Sequence, residues 1–99
     1  MTHEIKSQAE AFEARWAGLK PWEYRHNDRG YKIGDYLHER EIENDPPAAG
    51  EPYYTGRSIL SRVMFVRDGG RFGIPPGYCI MTVEMVARGR WLPRAEARD

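Results

Sequence analysis

The sequence predicts an α+β protein, mainly β: a small β-barrel with an N-terminal capping helix. Three observations carry this. The first part holds one amphipathic, helix-spaced stripe behind a capping signal. From Lys20 onward the helical period gives way to short extended runs, some with a clear period of two. Clusters of Gly, Pro, Asn and Asp separate those runs, so one helix followed by several strands is the simplest layering.

Ser7-Gln8-Ala9-Glu10 has the form of a capping box, in which the serine oxygen accepts from a first-turn amide and the glutamate reaches back. Ala9, Phe12, Trp16 and Leu19 then form one apolar stripe, and Gly18 supplies the left-handed conformation that ends helices. The helix is expected over Gln8 to Ala17. Extended runs follow at Lys20 to Arg25, Tyr36 to Ile42, Arg57 to Arg67 and Tyr78 to Val86. In the last of these Cys79, Met81, Val83 and Met85 alternate with Tyr78, Ile80, Thr82 and Glu84, which places one set inside. Asn27-Asp28-Arg29-Gly30 and Ile33-Gly34-Asp35 are turns. Asn44 to Pro52, with Pro46-Pro47, and Asp68 to Gly77, with Gly69-Gly70 and Pro75-Pro76, read as surface loops that border a cleft. Residues 1–86 make the domain, and 87–99, without periodicity around a lone Trp91, a loosely held tail whose tryptophan docks on the barrel.

At 99 residues there is room for one core and one cleft. Apolar residues make up 40% and charged residues 30%, with no long apolar run, so no transmembrane helix and no membrane partner are expected. A single cysteine, Cys79, and a start lacking a secretory pattern fit a reducing cytoplasm. Net charge is zero, which argues against binding nucleic acid by overall attraction. The charges are nevertheless segregated: Arg15, Lys20, Arg25, Arg29 and Lys32 cluster early, and Glu39, Glu41, Glu43, Asp45 and Glu51 follow. A local basic site is compatible with a neutral whole.

On an extended segment Glu23 and Arg25 share a face, whereas Lys20, an odd step away, joins them only where Pro21 bends the chain. Converging, they offer Lys20 as a point charge for a phosphate, Arg25 as a planar fork, and Glu23 to orient the cations or accept from a ligand donor. Trp22 and Tyr24 alternate with the charged pair and are expected to face the core. Arg29 and Lys32 extend the basic track. Tyr53 and Tyr54 are the candidates for base stacking. Thr55 is the nearest alternative hydroxyl nucleophile, provided Lys20 lies beside it as base. His3, His26, His38 and Cys79 lack metal-site spacing, and no phosphate-binding glycine loop is present, so no metal or cofactor is expected.

Gly18-Leu19-Lys20-Pro21-Trp22-Glu23-Tyr24-Arg25 matches the G-x-K-x-x-E-x-R signature at all four fixed positions, and the chain thereby resembles the ASCH domains of the PUA-like superfamily. The flanks, His3-Glu4-Ile5-Lys6, Gly34-Asp35, Tyr54-Thr55-Gly56-Arg57 and Phe72-Gly73-Ile74-Pro75-Pro76-Gly77-Tyr78, resemble an uncharacterised ASCH-related family of bacteria and phages. The resemblance implies a PUA-like barrel with an RNA or nucleotide cleft around Lys20, Glu23 and Arg25; on their own chemistry and position, Arg29, Lys32, Tyr54, Thr55 and Arg57 are expected to add contacts. It also implies an enzymatic alternative, a hydrolase acting on a modified nucleoside or, metal-dependently, on RNA, with Lys20 and Glu23 catalytic. Deacylating relatives carry a threonine where Glu23 stands, so their hydroxyl nucleophile is missing here. A monomer is expected; a third alternative is a protein partner docking on Tyr53, Tyr54 and the adjacent acidic stretch.

Overall fold

The computed structural model describes residues 1–43 and 53–90. Strand β1 (Thr2–Gln8) leads directly into helix α1 (Ala9–Trp16), followed by β2 (Trp22–His26), β3 (Tyr36–Ile42), β4 (Tyr54–Asp68) and β5 (Tyr78–Arg90). The five strands form one sheet in the order β1-β3-β4-β5-β2, in which β1 runs parallel to β3 and every other pairing is antiparallel. The sheet curls into a half-barrel. β4 and β5 make a long ribbon whose register shifts between Leu60 and Ser61 and between Val63 and Phe65, and such bulges bend a strand and increase its twist.

The mainly β expectation with one short helix holds, but a strand precedes the helix. Ser7 and Gln8 end β1, and Gln8 occupies the cap position without a side-chain cap bond, so the capping-box reading is corrected. β1 has strict alternation, with His3, Ile5 and Ser7 buried. Two of those three are polar, which hides the period from a hydrophobicity reading. Gly18 does end the helix, at φ 77°. The inward helix face is Phe12 and Arg15, while Leu19 lies exposed beyond the helix. The last strand continues through Arg90, so residues 87–90, expected as tail, pair with β4 from Arg57 to Leu60. Trp91 and the Asn44–Pro52 loop lie outside the described residues. No helix among the described residues is long and apolar enough to cross a membrane.

The interior divides into an apolar and a polar half. Ile5, Tyr31, Leu37, Val63, Cys79, Met81 and Val83 form the core cluster. Continuing along the same inward faces toward α1, Ile5 gives way to Ser7, Leu37 to Glu39 and Glu41, and Val63 to Ser61, all buried. At the open seam of the sheet, edge strands β1 and β2 share no ladder. Two arginines bridge them: Arg25 Nη2 donates to the Lys6 carbonyl at 2.7 Å, and Arg29 Nη1 donates to the Glu4 carbonyl.

Candidate functional site

The polar half of the interior is built around Glu23. Its side chain is 3% exposed, and its two oxygens are divided between cations: Oε1 accepts from Lys20 Nζ at 3.0 Å and Oε2 from Arg25 Nε at 2.9 Å. Arg15 Nε lies 3.8 Å from the same Oε1. All three signature side chains, Lys20, Glu23 and Arg25, therefore meet. Glu23 thus holds both cations, one on each of its oxygens.

Parity along β2 is as the alternation requires, but its sense is reversed. Glu23 faces the interior, and Trp22 and Tyr24, expected in the core, are each 45% exposed on the outer surface. The physical reason is that the concave side at this level is already lined with ionisable groups, which take up Glu23 as a counter-ion. An indole or phenol there would leave those charges unpaired in a dry site.

Arg15 and Glu39 complete the cluster and were not among the expected site residues. Arg15 Nε donates to Glu39 Oε1 at 3.0 Å, Nη2 to Ser61 Oγ at 2.7 Å and Nη1 to the Lys20 carbonyl at 3.2 Å. Burial pushes the Glu39 carboxyl above its ordinary range, and the neighbouring Glu23 charge adds to this, against the opposing pull of Arg15 and the weaker one of Ser7. Glu39 Oε2 is buried with no hydrogen-bond partner among the described residues. Two signals in the sequence pointed here. Arg15 stands three residues after Phe12, on the inward helix face, and Glu39 stands two after Leu37 in a strand.

Lys20 is the outlet of the cluster. It lines a cavity of about 430 Å³ with Gln8, Glu10, Ala11 and Ala14 of the α1 region. Arg25 lines a second cavity of about 290 Å³ beside β2 and the turn after it, with Arg29, Tyr24 and Tyr78.

The remaining expected contacts lie elsewhere. Arg57 grips Glu41 with both arms of its fork, at 2.8 and 2.9 Å, and also donates to Glu13 of α1. Thr55 Oγ1 donates to the same Glu41 at 2.7 Å. The Arg57 bonds, then Thr55, hold the Glu41 carboxyl below its ordinary range, and Glu41 and Glu13 hold the Arg57 guanidinium above its own. Thr55 thus serves a clamp tying β3 and β4 to the helix, and Lys20, bonded to Glu23, is not its base. Tyr54 lies under the Arg40 guanidinium at 3.5 Å, which occupies one face of the ring expected to stack a base. Lys32 is exposed on the turn before β3, where its backbone amide donates to Asp35. Among the described residues, no cluster of three or more His, Cys, Asp or Glu side chains is placed to hold a metal ion.

Residues 2–83 match the family model described as a domain of unknown function (DUF3850). No curated protein matches the sequence.

Proposed function

We propose, for a chain that belongs to the DUF3850 family of unknown function, that it is a PUA-like, ASCH-type module binding RNA or a nucleotide where the buried charge cluster opens at Lys20. The observation that carries this reading is the enclosure of Glu23: a carboxylate 3% exposed, with Lys20 and Arg25 on its two oxygens. An ammonium pre-oriented in this way meets a phosphate without the entropy cost of ordering a free lysine. The signature at Gly18, Lys20, Glu23 and Arg25, the curled half-barrel and the helix beside the cavity support the PUA-like assignment. In this reading the module is a cytoplasmic monomer.

Titration of the 15N-labelled protein with nucleoside monophosphates and a short structured RNA tests it. Saturable shifts confined to the Ala11, Ala14 and Lys20 amides are expected. Shifts absent from that region at every ligand concentration would remove the reading.

One observation favours a second reading, a hydrolase acting on a modified nucleoside or on RNA. Glu39 is a carboxyl with a raised proton affinity and an unpartnered oxygen, in the same cluster as Glu23 and Lys20, and such a group is suited to donating a proton. It stands second because Glu39 is fully enclosed, so a substrate would have to displace Arg15 to touch it. Turnover of acylated nucleosides or RNA by the wild type, lost in Glu39→Gln, would promote it.

A further inference from the structure

The outer face of the sheet, on the other side from the charge cluster, presents an aromatic surface across three strands. Register places Phe65 of β4, Thr82 of β5 and Trp22 of β2 in one row, and Arg67, Ile80 and Tyr24 in the next. Phe65 and the two β2 aromatics are close to half exposed. Tyr78 stacks on Tyr24 with ring centres 5.4 Å apart. Adjacent strands lie about 4.8 Å apart, so the outer members of a row stand roughly 10 Å from each other with β5 between them.

Cations are interleaved with these rings. Arg67 lies over Phe65 at 5.5 Å and over Phe72 at 4.8 Å, Arg71 over Phe72 at 5.6 Å, and Lys20 over Trp22 at 4.8 Å. Among the described residues neither Arg67 nor Arg71 has a carboxylate partner; both are held by ring contacts. The one carboxylate that shares the β5 outward parity here, Glu84, stands opposite Arg62. Two guanidiniums held against aromatic rings, with no counter-ion among the described residues, leave a surface complementary to a polyanion that also carries flat apolar faces.

The hairpin tip is shaped for display. Phe72 is 72% exposed and holds φ 56°, the left-handed region that a bulky side chain rarely occupies. The loop beneath it is tied down: Gly70 N–H donates to the Ile74 carbonyl at 2.7 Å, Ile74 N–H to the Arg71 carbonyl at 3.1 Å, and the Ile74 side chain is buried. An aromatic ring is thus held in solvent by a backbone conformation that favours glycine.

We propose that this outer face, from Phe72 and Phe65 across to Tyr24 and Trp22, binds a single-stranded nucleic acid, with its bases stacked on the rings and its phosphates on Arg67 and Arg71. Rings with interspersed cations are how sequence-tolerant single-strand surfaces work. Rings without cations would suit an apolar protein surface instead. The site borders the Lys20 cleft at Trp22, over which the Lys20 ammonium lies, but its contacts at Phe65, Phe72, Arg67 and Arg71 do not rest on the reading of that cleft.

The test is fluorescence anisotropy with labelled oligouridylate and oligothymidylate of roughly ten nucleotides and a matching RNA duplex, at low and moderate salt. The variants are Phe65→Ala, Phe72→Gly and Arg67→Ala, which lie on β4 and its hairpin, across β5 from Lys20. Phe72→Gly relieves the left-handed backbone, so weaker binding from it is not a folding defect. Binding of either single strand in preference to the duplex is expected, with a loss of about five-fold or more for each ring removed. Mononucleotide binding at the cleft should be unchanged in these variants, so this idea and the cleft reading fail separately. Single-strand binding that is absent, or equal in wild type and all three variants, overturns the proposal. So does self-association through this face, lost in Phe72→Gly, without any affinity for strands.

Discussion

The Nε of Arg15 donates to Oε1 of Glu39 across 3.0 Å, and neither side chain is more than 2% exposed. A charge removed from water this completely needs its partner more than it adds net stability to the fold. Arg15→Met is therefore expected to cost about 3–5 kcal/mol, because it leaves Glu39 buried and unpaired. The double variant Arg15→Met, Glu39→Met should lose clearly less than the two single losses added together, which denaturant unfolding of the four proteins measures.

The raised proton affinity of Glu39 sets a direction for pH dependence. A carboxyl that holds its proton more tightly when folded makes the native state bind more protons than the unfolded one. Stability then falls as pH rises from the unfolded value of about 4.3 through the higher folded value. Glu39→Gln should lack this decline, so the wild type should lose stability relative to the variant across that window. Parallel melting curves from acid to neutral pH read it directly.

Asp35 predicts the opposite slope. A hydrogen bond from His3, 2.8 Å away, leads the causes that hold its carboxyl below the ordinary range, with the Lys32 amide and the N-terminus assisting. Its contribution is present above the unfolded value of about 3.9 and is lost as pH falls through the folded one. Asp35→Asn should therefore be less stable than the wild type near neutrality, with the gap closing in strong acid.

The β4–β5 hairpin depends on a glycine for space rather than for backbone angle. A Cβ on Gly69 would stand 1.9 Å from the Pro75 carbonyl oxygen, a backbone atom that cannot swing aside. Gly69→Ala is expected to cost about 1–3 kcal/mol, or a fall in Tm of roughly 4–8 °C for each kcal/mol in a domain of this size.

What the sequence made legible follows the apolar periods. The strands at Tyr36–Ile42, Arg57–Arg67 and Tyr78–Val86 stand where alternation and turn residues put them, because Leu37, Val63 and Met81 give those strands an apolar inward face. β1 was hidden because its inward set includes His3 and Ser7. On β2, alternation revealed which residues share a face, but a period of two does not say which face is the interior, and the aromatics were assigned the wrong side. Lys20, Glu23 and Arg25 were legible through spacing. Glu39 was read as one of a run of acidic residues, and only the pairing of β3 with its neighbours shows it enclosed with Arg15. Arg57 and Thr55 were expected at a ligand; Glu41, two residues beyond Glu39 on the same face, claims both.

The seam between β1 and β2 supplies another prediction. Arg25 joins Glu23 to the Lys6 carbonyl, so it closes the half-barrel with a side chain where no ladder exists. Arg25→Lys cannot reproduce that two-ended fork. It should cost about 1.5–3 kcal/mol and speed hydrogen exchange at the Tyr24 and His26 amides more than at those of the β4–β5 ribbon.

The claim that Lys20 is the ligand-facing outlet of the charge cluster is tested most directly by thermal shift against nucleotides and short RNAs, comparing wild type with Lys20→Met, which keeps the aliphatic stem. Ligand that binds only the folded state must raise its Tm. A saturable rise is expected in the wild type and none in Lys20→Met, each measured from that protein's own ligand-free Tm. An equal rise in both proteins, or none in the wild type with any nucleotide or RNA, would contradict it.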